Sequence, residues 1–90
     1  MPRHERTFVI VNTLGLHARA AAQLVQTANR YRAEIHVEKD GMQVNGKSIM
    51  GVLTLAAAKG SSIVLVVEGE DAETAMTALA KVIESGFGET

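Results

Sequence analysis

Glu34-Ile35-His36-Val37-Glu38-Lys39-Asp40-Gly41-Met42-Gln43-Val44 alternates polar and apolar side chains, turns at Asp40-Gly41 and runs back. A period of two marks a strand buried on one face, and an Asp-Gly pair between two such runs closes a tight antiparallel hairpin. The chain therefore holds an antiparallel sheet, and the flanking segments must supply its other strands and its cover. Downstream, Asn45-Gly46-Lys47 reads as a second turn and Ser48 as an N-cap. Helical character over Ile49 to Lys59 follows, closed by Gly60 as a C′ residue. Ser62-Ile63-Val64-Leu65-Val66-Val67-Glu68 is almost continuously aliphatic, which predicts a central strand. Gly69-Glu70-Asp71 leads into a last helix with its buried stripe at Ala72, Ala75, Met76, Leu79 and Ile83. Gly86 ends that helix, and Phe87 is placed to fold back over its final turn.

Upstream of the hairpin, Ala21, Leu24, Val25 and Ala28 fall at helical spacing, with Gln23, Gln26, Thr27 and Arg30 on the other side. This predicts an amphipathic helix to about Tyr31, preceded by a strand over Thr7 to Val11. The order is strand, helix, strand, strand, helix, strand, helix, with no internal repeat and no linker. One domain over residues 1–90 is expected, of class α+β: a four-stranded, largely antiparallel sheet with three helices on one face. Periodicity leaves the strand order open.

Composition narrows the function. Hydrophobic residues make up 47% of the 90-residue chain, enough for one core, and with Phe8, Tyr31 and Phe87 as the only aromatics that core is aliphatic. A net charge of −1 and so few stacking side chains argue against nucleic-acid binding. The absence of cysteine excludes disulfides, zinc ribbons and thiol chemistry. Met1-Pro2-Arg3-His4-Glu5-Arg6 is polar, and no apolar run behind it is long enough for a leader or a membrane span, so a cytoplasmic location without membrane insertion is expected. His4, read as part of the tail, and His36, on the polar side of its strand, have no partners at ligand spacing; both are expected to be solvated, with no metal or cofactor.

Chemistry concentrates in Asn12-Thr13-Leu14-Gly15-Leu16-His17-Ala18-Arg19-Ala20-Ala21-Ala22, where a strand has ended and a helix begins. A helix start exposes unpaired N–H groups and a positive dipole end, so it favours an anion and disfavours a protonated imidazole. Neutral imidazole is a nucleophile, and the Arg19 guanidinium can neutralise a nearby oxyanion. Together these read as a phosphoryl acceptor. Taken alone, His17 would more often be a solvated loop residue or a helix cap.

Gly15-Leu16-His17-Ala18-Arg19, followed about thirty residues later by Asn45-Gly46-Lys47-Ser48-Ile49-Met50-Gly51-Val52 and then by Ala58-Lys59-Gly60, changes that balance. These motifs, in order and over essentially the whole chain, resemble the histidine-containing phosphocarrier (HPr) family of the bacterial phosphoenolpyruvate-dependent phosphotransferase system. The resemblance implies an open-faced β-sandwich with sheet order 1-4-2-3. It implies a carrier rather than an enzyme: enzyme I phosphorylates the histidine, which hands the group to an enzyme IIA. By position the phosphorylated residue would be His17 and its supporting cation Arg19. Ser48 would be the site of a regulatory HPr kinase/phosphorylase, beside its plain role as a cap. Ile49, Met50 and Leu53 are apolar on more sides than one buried face needs and are expected to contribute to partner docking; a monomer is expected. Where the family usually has proline after the arginine this chain has Ala20, which leaves Arg19 less tightly held. Two other readings stand beside this one: a carrier of a regulatory, nitrogen-related branch, and a small-molecule-sensing domain of similar element order.

Overall fold

The structure, a computed structural model, describes residues 1–89. Strands β1 (Arg3–Val9), β2 (Glu34–Lys39), β3 (Met42–Asn45) and β4 (Ser62–Glu68) form one sheet in the order β1-β4-β2-β3, with every neighbouring pair antiparallel. Helices α1 (Ala18–Ala28), α2 (Ile49–Thr54) and α3 (Ala72–Glu84) cover one face, and a single 3₁₀ turn (Gly86–Gly88) follows. This is the open-faced sandwich expected from the family resemblance, and β4 is interior as its aliphatic run predicts.

Register explains which side chains go inside. Phe8 pairs with Ile63, Val37 with Leu65 and Ile35 with Val67, and all six are buried beneath the helices. The alternate rows, such as Glu5–Val66–His36 and Thr7–Val64–Glu38, form the open face. His36 thus lies on the polar side, half-buried. From the helices, Ala20, Ala21 and Leu24 of α1, Val52 of α2, and Ala75, Leu79 and Ile83 of α3 complete the core. Each buried Leu, Ile or Val contributes roughly 1.5–3 kcal/mol. The ion pairs Arg3–Glu5 and Arg6–Glu84 join side chains at least half exposed, where about 0–1 kcal/mol is the rule, so aliphatic burial holds the fold.

The bounds of β1, Arg3–Val9 against the expected Thr7 to Val11, and the end of α2 differ from expectation. The first strand begins at Arg3, not Thr7, because the polar start of the chain pairs along β4, Arg3 opposite Glu68 and His4 opposite Val67. His4 is therefore not a tail residue: it stands half-buried on the helix side of an edge strand, in a shallow groove with Glu73, Met76 and Thr77. Helix α2 stops at Thr54, well short of Lys59. Ala56 adopts a positive φ of 48°, and the Ala57 carbonyl turns away to accept the Leu16 N–H at 2.8 Å. A long-range contact to the histidine loop has overridden local helix propensity.

Asp71, at the start of α3, does not cap its own helix. Its carboxylate accepts the Arg32 and Ala33 backbone N–H groups, both at 2.9 Å, tying the entry of β2 to α3. The Arg32 bond foremost, and the Ala33 bond with it, hold its carboxyl below the ordinary 3.8. A lowered folded value means that the stabilisation is present above the unfolded value and is lost as pH falls through the folded one. Asp71→Ala is accordingly expected to melt below the parent at neutral pH, with the gap narrowing in acid below about pH 4. Thermal melts of both proteins across that range check it.

Candidate phosphoryl-acceptor site

His17 is the N-cap residue of α1, with φ −74° and ψ 179°, and its side chain makes no capping bond. Its carbonyl accepts the Ala21 N–H at 2.8 Å, closing the first helical turn. The amides of Ala18, Arg19 and Ala20 have no intrahelical carbonyl to bond, and the imidazole does not supply one. The capping role is thus left empty: the ring makes no bond to the helix amides, and an anion-favouring helix start lies beside it. Arg19 is exposed one residue past Ala18 and makes no hydrogen bond or ion pair among the described residues, so its guanidinium can turn to an incoming oxyanion.

The preceding loop is held from the far side. Gly15 has φ +65°, and a Cβ there would lie 2.4 Å from the Ala57 carbonyl oxygen and 2.9 Å from the Ala58 Cα. Only glycine lets the loop lie this close to the chain leaving α2. Leu16, next to it, is buried, while Leu14 is 67% exposed. The result is a shallow depression around His17 bounded by Thr13, Leu14, Arg19 and Gly88.

A residue that sequence reading did not find completes the site. Phe87 is buried in the core, and the turn around it carries Glu89 back to the start of α1. One Glu89 carboxylate oxygen bonds His17 Nε2, and the other accepts from Asn12 Nδ2 at 3.0 Å. Asn12 Nδ2 also donates to the Gly15 carbonyl at 2.8 Å, and the side chain is 5% exposed. Both partners only accept, so the amide orientation is settled by the bonds themselves. The Asn12 bond foremost, then His17, keeps the Glu89 carboxyl below its ordinary 4.5 and therefore ionised at neutral pH. Sequence reading leaves only the helix dipole acting on the ring. In the fold a carboxylate stands against the ring as well.

Ser48 is the N-cap of α2, its Oγ accepting the Gly51 N–H at 3.1 Å. The structure does not bring it to His17. Asn29, at the C-terminal end of α1, donates to the neighbouring Lys47 carbonyl at 3.4 Å, so Ser48 sits at the opposite end of α1 from the histidine. Eleven helical residues separate the two ends by about 16 Å. Of the apolar trio, Ile49 is 40% and Met50 70% exposed. Leu53 is half-buried and packs against the core. Ser48→Ala is expected to cost about 1 kcal/mol, whereas Ser48→Asp, which can still cap, keeps the parent's stability. Urea unfolding of the two variants tests this.

A family model described as the PTS HPr component phosphorylation site matches residues 4–85. The phosphocarrier protein HPr of Neisseria meningitidis serogroup A is 48% identical over 85 residues, which cover 94% of this chain and 96% of that protein. The HPr-like protein Crh of Halalkalibacterium halodurans is 56% identical over 70 residues, 78% of this chain and 83% of that protein. An HPr structure from Thermoanaerobacter tengcongensis matches with a TM-score of 0.93 at 49% identity, covering 97% of this chain and 98% of that one. Sheet order, helix cover and these matches together define a small phosphocarrier of the phosphotransferase system. The chain belongs to the HPr family. No helix among the described residues is long and apolar enough to cross a membrane.

Proposed function

We propose that the protein accepts a phosphoryl group on His17 from phosphorylated enzyme I and passes it to an enzyme IIA. The observation that carries this reading is the imidazole at the α1 start, held by Glu89 and making no capping bond, with Arg19 exposed beside it and unpaired helix amides below. Phosphoryl transfer asks little covalent chemistry of a carrier; it needs a held nucleophile and charge stabilisation around the moving group. His17 supplies the first, and Arg19 with the amides of Ala18–Ala20 supplies the second. Ala20 has no intrahelical N–H partner to lose, so the proline usual in the family is dispensable for the helix itself.

Partners dock over Leu14, Ile49 and Met50, with Leu53 supporting the patch from its half-buried position. A phosphate on Ser48 would place about two negative charges at the edge of that patch, toward the other end of α1 from His17. From there it opposes transfer through the partner contact rather than through the imidazole. Ser48→Asp is therefore expected to accept phosphate more slowly while staying folded, with the deficit shrinking at high salt.

The test is incubation with enzyme I and phosphoenolpyruvate, followed by intact-mass measurement and then addition of candidate enzyme IIA proteins. One added phosphoryl group, discharged by an enzyme IIA, is expected. Whether a sugar-specific or a nitrogen-branch enzyme IIA discharges it assigns the branch. No uptake under these conditions overturns the reading.

A further inference from the structure

We infer that the open face of the sheet docks a basic amphipathic segment of another protein, its apolar stripe on Val64 and Val66 and its cations against Glu5, Glu34, Glu38 and Glu68. The three helices lie on the other side of the sheet, and Ile49 and Met50 of α2 with them. On the open side Val64 and Val66 stand half-buried on the interior strand β4, and Val9 of β1 is 52% exposed. Around them the register sets Glu5 opposite Val66, Glu38 opposite Val64 and Glu34 opposite Glu68. The face holds four of the ten acidic residues and one of the nine basic ones, Arg3, which pairs with Glu5. The rest of the chain, eight basic residues against six acidic, has the opposite net sign. Glu34 and Glu68, directly opposite and alike in charge, repel one another, and among the described residues neither has a cation bonded to it. A shallow depression extends this negative surface past the end of the strands, lined by Glu70 beside Glu34 and Glu68, with Arg32 as its cation.

Complementarity selects the occupant. Nucleic acid and anionic lipid carry the sign of the face, and a second copy would set its own carboxylates against these. A segment with Lys or Arg beside an aliphatic stripe meets both the valines and the rim, and relieves the repulsion between Glu34 and Glu68. Size limits the occupant further. Four strands about 4.8 Å apart, the longest of seven residues, give a face of roughly 400 Å², half of what a stable interface takes from each partner. One amphipathic helix, about 10 Å across, fits that area. The contact is therefore weak and salt-sensitive. It lies on the side of the sheet away from Ile49 and Met50, so such a partner binds while that patch stays clear.

The probe is a synthetic helical peptide of about four turns made of Leu, Ala and Lys, with lysines flanking a leucine stripe. It is titrated at low and high salt into the ¹⁵N-labelled full chain. Saturable shifts are expected at the amides of His36, Glu38, Val64 and Val66, weakening at high salt, with Ile49 and Met50 unmoved. Replacing Glu34 and Glu68 together, as Glu34→Gln and Glu68→Gln, should weaken binding about threefold or more at low salt, since two rim charges are removed. A peptide with Glu in place of Lys should not bind. The inference is overturned if nothing binds saturably, if the shifts centre on α2 or α3, if the Glu peptide binds as well, or if the folded double variant binds as the parent does. It is equally overturned if the same amides shift with protein concentration alone as a dimer forms, which gives the face to a second copy, or shift on adding phosphatidylglycerol vesicles. None of these readings uses phosphotransfer, so they hold whether or not His17 accepts a phosphoryl group.

Discussion

Gly15→Ala is expected to destabilise the protein by about 3 kcal/mol, lowering its melting temperature by roughly 15 °C. Two costs combine. A positive φ of 65° is disfavoured for alanine by roughly 1–2 kcal/mol. The added Cβ would also lie 2.4 Å from the Ala57 carbonyl oxygen, and because that atom is backbone it cannot swing aside as a side chain would. Relief requires the histidine loop and the chain leaving α2 to part, which lengthens the 2.8 Å bond from Leu16 N–H to the Ala57 carbonyl. Gly60→Ala is the control: it too has a positive φ, of 89°, but a Cβ added there would meet no atom within 4 Å. It should cost about 1 kcal/mol, the conformational part alone. Equal losses in the two variants would show that the approach of the two loops contributes nothing. Any Gly15→Ala protein that does fold should accept phosphate poorly, since His17 is two residues from the displaced position.

These loops also show where sequence reading stops. The hairpin of β2 and β3, the central β4 and the buried stripe of α3 were legible because each depends on local periodicity and turn chemistry. The early end of α2 was not, since Leu55 to Lys59 has helical composition and is drawn off by a bond to Leu16. The polar start of β1 was hidden for a related reason. An edge strand needs only backbone pairing with β4 and a place for its side chains, and Arg6 finds one by laying its guanidinium 4.7 Å from the Phe8 ring centre. Strand order came from resemblance and not from periodicity.

The candidate site divides along the same line. His17 and Arg19 share one short motif, and a helix start between them could be read from the alanine-rich run that follows. Glu89 is 72 residues from His17 and reaches it only because Phe87 is buried and turns the chain with φ 58°. The return of Phe87 onto α3 is legible from the glycine that precedes it, yet nothing in the sequence says which side chain that return delivers. Asn12 lies inside the stretch that concentrates the chemistry, but its role depends on Glu89 and is invisible without it.

His17→Ala decides whether this ring is the phosphoryl acceptor. The ring makes no capping bond and is 28% exposed, so its removal should leave stability within about 1 kcal/mol of the parent. Phosphoryl acceptance should vanish, because no other side chain of the site has a nucleophilic nitrogen of this kind. Folded parent and variant are incubated with enzyme I and labelled phosphoenolpyruvate, and the bound label is challenged with acid and with base. One equivalent on the parent, lost in acid and kept in base, with none on His17→Ala, is the predicted result. Undiminished label on His17→Ala, or a parental phosphate that survives acid, would contradict it.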